Sequence, residues 1–164
     1  MAQKKTGEHL ILEIKKQNFE SVSEMKSTLF TQKDFPAFEK LHNETFPQTY
    51  YDAATIVERL NISKRNILRV LKNNESELQG YAYYEIDRAM SDASLEYIGI
   101  SKGAQNQGLG TLLLKEVLTH MFSYDEITKI RLTVDNENKQ ANYIYIKAGF
   151  EPKNYLTSFY LKNQ

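Results

Sequence analysis

Two glycines, Gly108 and Gly110, directly precede an apolar run with helical spacing in the stretch QNQGLGTLLL (105–114). The first backbone N–H groups of a helix have no intrahelical partner and carry a partial positive charge. Because glycine has no Cβ, a phosphate can approach such N–H groups closely. The pattern therefore indicates either a phosphate-binding helix start or a loop that uses glycine only for its geometry.

Two well-known phosphate loops do not fit this stretch. The Walker loop requires Lys and then Ser or Thr after its last glycine, whereas Thr111 and Leu112 follow Gly110. The dinucleotide-binding loop requires a third small residue where this chain has Leu113. The spacing thus argues against a nucleoside triphosphate or a nicotinamide dinucleotide as the ligand.

The stretch at 105–110 resembles the Q/R-x-x-G-x-G/A motif of the GNAT superfamily, the acyl-CoA-dependent N-acyltransferases. A second stretch, NKQANYIYIKAGF (138–150), is similar to the N-x-x-A-x-x-x-Y-x-x-x-G-F signature of that family in every fixed position. The segment LEYIGI (95–100) resembles the fourth strand of the family. The resemblance is firm over 66–161, weaker back to residue 25 and absent before it.

The resemblance implies a single-domain α/β (α+β) fold, with a mixed, mostly antiparallel sheet that is splayed at its centre and flanked by helices. This domain would span 24–164 after an N-terminal extension, 1–23, of uncertain structure. Acetyl-CoA would be the co-substrate, with its pyrophosphate on backbone N–H groups and its pantetheine arm along a strand edge. The residues implied to bind it are Ile98, Gly99, Ile100, Gln105, Asn106, Gln107, Gly108, Leu109, Gly110, Thr111 and Asn138.

Two proton transfers accompany N-acetyl transfer, one from the amine and one to the leaving thiolate. A primary amine with a pKa of about 10 is mostly protonated at neutral pH, and a thiolate leaving group with a pKa of about 8.5 gains from a proton donor. Tyr145 occupies the tyrosine of the family signature and is the candidate acid, although it could also be an aromatic residue packed on the sheet. Glu96 is the candidate general base, directly or through water, although it could also be a solvated strand carboxylate. Some family members carry a glutamate on the following strand, where this chain has Thr133.

The loop NETFPQTYYD (43–52) is the expected acceptor side. Phe46 and Tyr50 are candidate walls of a substrate pocket, and Glu44 is a candidate anchor for an ammonium group. The alternative is an aromatic loop that packs on the body of the domain. Asn138 has two interpretations as well, since it could cap its helix, bind the pantetheine arm, or do both.

The composition restricts the partners and the compartment. The 21 basic and 21 acidic residues give no net charge, which offers no overall case for nucleic acid or an anionic membrane as a partner. The absence of cysteine excludes thiolate metal sites and cysteine nucleophiles, and three widely spaced histidines make a histidine metal site hard to assemble. The composition therefore predicts a cytoplasmic protein without a metal. The family resemblance implies a small-molecule or peptide amine as the acceptor, and a homodimer is compatible with the sequence.

Hydrophobic periodicity and turn residues predict the elements that position these groups. HLILEI (9–14) is expected to form either a strand or a helical turn. Strands are predicted over 25–30, 66–72, 78–86, 93–100, 128–134 and 155–162, and helices over 31–46, 51–60, from about 109, and over 138–149.

The leading hypothesis is an N-acetyltransferase in which the amine attacks acetyl-CoA directly. A second hypothesis is an acyl-CoA-binding module without turnover, in line with Thr133 in place of a glutamate. A third is that the chain forms one lobe of a tandem-domain acetyltransferase.

Overall fold

A computed structural model of the chain describes residues 9–135 and 137–153. Its strands are β1 (His9–Lys15), β2 (Thr28–Leu29), β3 (Asn66–Lys72), β4 (Leu78–Asp87), β5 (Asp92–Ile100), β6 (Lys129–Asp135) and β7 (Glu151–Pro152). Its α-helices are α1 (Phe35–Thr45), α2 (Ala53–Ile62), α3 (Leu109–Phe122) and α4 (Lys139–Ala148). The strand predicted over 155–162 lies outside the described residues. Within the described part of the chain, no helix has the length and apolarity that crossing a bilayer requires.

The strands form two sheets that separate at the centre of the molecule. One sheet has the order β2-β3-β4-β5 and the other the order β6-β1-β7, and every neighbouring pair within them is antiparallel. β5 and β6 are the outer strands that approach each other across the division. The predicted α/β fold with a splayed, mostly antiparallel sheet is confirmed.

β4 is buried on both faces because helices cover both sides of its sheet. Tyr81 and Tyr83 pack into a core cluster with residues of α1 and α2, whereas Ala82, Tyr84 and Ile86 pack into a second cluster with residues of α3. This division follows the twofold alternation of side chains along a strand. The three tyrosines are fully buried, so they belong to the core.

β1 settles the two alternatives for HLILEI in favour of a strand. It pairs with β6 along its whole length and with β7 on its other side. Its Leu12 and Ile14 are buried, and the nearly buried carboxylate of Glu13 accepts from Arg131 Nε at 2.7 Å. Part of the expected N-terminal extension is therefore a central strand of the second sheet, while the domain boundary at residue 24 stays a prediction.

β2 is shorter than predicted because its first residues bond to a helix. The carboxylate of Glu116 on α3, which is fully buried, accepts from the backbone N–H groups of Lys26 at 2.7 Å and Ser27 at 3.0 Å. The hydroxyl of Ser27 also donates to it. Thr28 and Leu29 pair with β3, Phe30 N donates to Leu68 O at 2.9 Å, and Glu116 fixes the segment before them.

We expect Glu116→Ala to lower the free energy of unfolding by about 2–4 kcal/mol, because it leaves buried donors without an acceptor. Urea unfolding followed by circular dichroism measures the change. Glu58→Ala, at an exposed position on α2, is the control and is expected to change stability by less than about 0.5 kcal/mol. Equal stability of the two variants would show that Glu116 does not hold this segment.

Candidate active site

A cavity of about 360 Å³ lies between the end of β5 and α4; we call it the central cavity. It brings together eight of the residues predicted from the sequence: Phe46, Glu96, Ile98, Gly99, Ile100, Gln105, Asn138 and Tyr145. Four further lining residues were not predicted: Thr45, Tyr97, Ala141 and Ile144.

A second cavity of about 120 Å³ surrounds the start of α3; we call it the loop cavity. It shares Ile100, Gln105 and Ile144 with the central cavity, so the two lie side by side along β5 and α4. The other predicted residues that line it are Asn106, Gly108, Leu109, Gly110 and Thr111. Gln107 does not line it, and its side-chain amide donates to the carbonyl of Gly103 at 3.4 Å.

The backbone at the start of α3 offers N–H groups to an anion. The first bond of the helix runs from Leu112 N to Gly108 O at 3.0 Å, so the N–H groups at 109–111 come before the first intrahelical donor. Asn106 and Gly108 both have positive φ, +65° and +79°. Left-handed residues in such a turn let neighbouring N–H groups converge on one concavity.

The two glycines of the motif serve different purposes. A Cβ at Gly108 would meet nothing within 4 Å, so this position faces open space. A Cβ at Gly110 would lie 3.0 Å from Ile144 Cδ1, so this glycine allows α3 to pack closely on α4. Gly108 thus gives access to the backbone, and Gly110 sets the distance between two helices that line the site.

β5 turns part of its backbone towards the division between the sheets. Ser101 N donates to Gln79 O at 2.9 Å, and the alternation of an antiparallel ladder then directs the N–H and C=O of Gly99 towards β4. The corresponding groups of Ile98 and Ile100 point the other way, and Gln105 Nε2 donates to the Ile100 carbonyl at 3.0 Å. Ile98 and Ile100 therefore offer backbone groups to a ligand, whereas Gly99 accommodates Tyr81, whose Cε1 would lie 2.9 Å from an added Cβ.

A β-bulge places Glu96 in the site. Tyr97 pairs with Tyr83 and Leu95 pairs with Tyr84, which leaves Glu96 as the extra residue of β5. A bulge interrupts the alternation of side chains, and the neighbours Glu96 and Tyr97 accordingly both line the central cavity. The carboxylate of Glu96 is exposed and accepts from Ser94 Oγ at 3.0 Å.

Tyr145 and Asn138 face the same cavity from α4. The ring of Tyr145 packs edge-on against Phe150 at 5.7 Å, and burial raises the pKa of its hydroxyl to about 12. Asn138 caps the helix, since its side-chain oxygen accepts from Ala141 N at 3.2 Å. Gly149, with φ of +116°, ends the helix as predicted. Asn138 therefore serves as a cap and lines the cavity as well.

The structure separates the three residues predicted for the acceptor. Phe46 lines the central cavity, with its ring edge-on to Tyr97 at 5.0 Å. Glu44 forms an ion pair with Lys40 at 3.1 Å on α1 and does not line the cavity. Tyr50 is 87% exposed and packs against Tyr51 outside it.

A buried histidine that the sequence did not indicate holds the acceptor loop in place. His42 Nε2 is 2.8 Å from the carbonyl of Tyr51, and His42 Nδ1 is 2.5 Å from the Tyr81 hydroxyl. Because a carbonyl only accepts, Nε2 carries the hydrogen and Nδ1 accepts from Tyr81. The Tyr97 hydroxyl bonds Thr49 Oγ1 at 2.5 Å and accepts from Tyr51 N at 3.2 Å. These hydrogen bonds connect the acceptor loop to β4 through Tyr81 and to β5 through Tyr97.

The sequence model of the Acetyltransferase (GNAT) family matches residues 35–150, more than half of the chain. The chain belongs to this family of acetyltransferases, which use acetyl-CoA. The match covers every helix of the described structure and the strands β3 to β6.

Solved structures of the same fold include three from bacteria. A GCN5-related N-acetyltransferase from Sphaerobacter thermophilus is 16% identical with a TM-score of 0.65, over 88% of this chain and 48% of that chain. A GNAT acetyltransferase from Colwellia psychrerythraea is 13% identical with a TM-score of 0.68, over 88% of this chain and 52% of that one. A spermidine N-acetyltransferase from Vibrio cholerae, in complex with CoA and spermine, is 22% identical with a TM-score of 0.64. The match covers 78% of this chain and 81% of that one. The chain spans about half the length of the first two.

We expect Gly108→Val to weaken acetyl-CoA binding at least about tenfold, because a branched side chain would fill the space next to the α3 N–H groups and would be strained at the φ of +79° of this position. Isothermal titration calorimetry measures the affinity. Gly103→Val, where a Cβ would also meet open space, is the control and is expected to bind normally. An unchanged dissociation constant in folded Gly108→Val protein would remove the diphosphate from this position.

Proposed function

We propose that this chain transfers an acetyl group from acetyl-CoA to a primary amine by direct attack of the amine. The observation that carries the proposal is one cavity in which a carboxylate, Glu96, and a half-buried phenol, Tyr145, line the walls together with the outward-facing part of β5. The chain has no cysteine that could carry an acyl group between two half-reactions.

The groove has the donors and acceptors that acetyl-CoA needs. The N–H groups at the start of α3 suit the pyrophosphate, and Gly108 leaves room beside them. The backbone groups of Ile98 and Ile100 suit the amide-bearing pantetheine arm, which would add to the edge of β5 like an extra strand. This placement brings the thioester into the central cavity, between Glu96 and Tyr145.

Glu96 is assigned the role of the base that accepts the first proton from the amine. At pH 7 only about one in 1,000 molecules of an amine with a pKa of about 10 is neutral, which costs about 4 kcal/mol if no base assists. The carboxylate of Glu96 accepts a proton from the ammonium group, directly or through a water molecule. The nitrogen then forms a bond to the thioester carbonyl carbon as the bond between carbon and sulfur breaks.

Tyr145 is assigned the role of the hydrogen-bond donor to the leaving sulfur. Its pKa of about 12 lies above the value of about 8.5 for a thiol, so complete proton transfer to sulfur is uphill by about 5 kcal/mol. The hydroxyl therefore acts mainly by donating a hydrogen bond to the negative charge that develops on sulfur. Two protons leave the nitrogen overall: one passes through Glu96 to solvent, and the other ends on the thiol of CoA.

We expect Tyr145→Phe to lower kcat about 100-fold while the KM for acetyl-CoA stays within about twofold, since the lost bond forms only as charge develops. Stopped-assay thiol release measures both constants. Because the pKa of Tyr145 is about 12, the phenol stays protonated through pH 10. We therefore expect kcat/KM to rise at the same pH in the wild type and in Tyr145→Phe. Tyr124→Phe is the control. Wild-type turnover in Tyr145→Phe would exclude the hydroxyl from this role.

We expect Glu96→Gln to lower kcat/KM for the amine at pH 7 about 10- to 100-fold, because the ammonium loses its proton acceptor. The deficit should shrink as the pH approaches the pKa of the amine, where the neutral form no longer depends on a base. A pH series of kcat/KM measures this convergence, with Glu58→Gln as the control. A deficit that is constant with pH would mean that Glu96 does not act as the base.

A CoA-binding module without turnover is the competing function. It would bind acetyl-CoA in calorimetry and release no thiol with any amine. That combination would overturn the proposed reaction and leave the cofactor site intact.

A further inference from the structure

The acceptor side of the central cavity has a single negative charge. Among the described residues that line this cavity, Glu96 is the only one with an ionisable carboxylate, and no lysine or arginine joins it. Carboxylates near the acceptor helices that do not line the cavity include Glu44, which pairs with Lys40 at 3.1 Å, and Glu85, which pairs with Arg59 at 2.9 Å. Asp52 of the acceptor loop does not line it either, and its carboxylate accepts from Thr55 N at 2.8 Å as the cap of α2. The sequence after residue 153 contains no aspartate or glutamate.

This single carboxylate is occupied by the reacting nitrogen. Under the proposed function, Glu96 binds the ammonium group and takes its proton, so it offers nothing to a second cation of the same substrate. A second ammonium group would be desolvated next to aromatic rings without a carboxylate partner. The charge pattern therefore disfavours acceptors with several positive charges.

The remaining acceptor wall is aromatic and held in position. Phe46 and Tyr97 meet edge to face at 5.0 Å, and His42 packs edge-on against Tyr97 at 4.9 Å. The hydrogen bonds of Tyr97 to Thr49 and Tyr51 fix its ring. A preorganised aromatic surface favours a flat apolar body at low entropic cost.

We infer that the acceptor is a primary monoamine whose one positive charge is the reacting nitrogen and whose body is apolar and aromatic. The inference rests on the proposed function and narrows its substrate class. It sets this chain apart from the Vibrio cholerae protein of the same fold, a spermidine N-acetyltransferase. In the present chain, the carboxylate needed for a second ammonium group does not line the described cavity.

Three amines separate the effects of charge and ring. Pentylamine and 1,5-diaminopentane have the same chain and differ by one ammonium group, whereas 2-phenylethylamine adds a ring to a monoamine. We expect kcat/KM for pentylamine to exceed that for the diamine at least about tenfold. We expect 2-phenylethylamine to exceed pentylamine about fivefold. Spermidine is expected to be as poor as the diamine. Acetyl-CoA-dependent thiol release at a fixed pH measures all four.

A variant pair tests whether the wall recognises the ring. Phe46→Leu keeps an apolar side chain of similar size, and we expect it to lower kcat/KM for 2-phenylethylamine about fivefold more than it lowers kcat/KM for pentylamine. Ile62→Ala, at a position that is 79% exposed at the end of α2, is the control and is expected to change neither.

The outcomes distinguish the inferred substrate class from the proposed acetyltransferase reaction. Faster reaction of the diamine or spermidine than of the monoamines would overturn the inference and leave the acetyltransferase reaction standing. Equal rates for pentylamine and 2-phenylethylamine in the wild type would overturn its aromatic part. No thiol release with any amine would overturn the proposed function and the inference with it.

Discussion

The site depends on the unpaired edge of β5 at the centre of the molecule. A strand is bonded on both sides when it lies inside a sheet, but among the described strands β5 pairs with β4 alone, and its other edge faces β6 of the other sheet. Buried backbone N–H and C=O groups require partners. The groups of Ile98 and Ile100 are thus available to an extended, amide-bearing ligand. The division between the sheets is therefore the condition for the proposed pantetheine site.

The other parts of the site follow from how the neighbouring elements pack around this edge. Gly110 lets α3 approach Ile144 on α4, which sets Tyr145 opposite β5. The bulge at Glu96 brings a carboxylate to the same cavity. His42 ties the acceptor loop to Tyr81 on β4. The proposed anion site, strand edge, base and hydrogen-bond donor therefore share one groove.

The sequence predicted the elements whose signals are local. The strands β3 to β6, the start of α3 after Gly108 and the ends of α4 at Asn138 and Gly149 all come from periodicity, glycine geometry and capping residues. Features that depend on distant partners were missed or left open. The place of β1 requires β6, which lies over 100 residues later in the chain, and the short β2 requires the buried Glu116. The bulge at Glu96 has no local signal either, because strand register is set by tertiary contacts. The ion pair of Glu44 with Lys40, four residues earlier on α1, is local, and its i,i+4 spacing could have been recognised in the sequence.

The central claim is that acetyl-CoA lies along the free edge of β5 with its pyrophosphate at the start of α3. Residue-resolved amide hydrogen exchange, with and without acetyl-CoA, tests it most directly. The account predicts new protection at Ile98, Ile100 and the N–H groups at 109–111, and an unchanged Gly99, whose N–H already faces β4. Protection that appears elsewhere, or that leaves Ile98 and Ile100 unchanged while acetyl-CoA is bound, would contradict it.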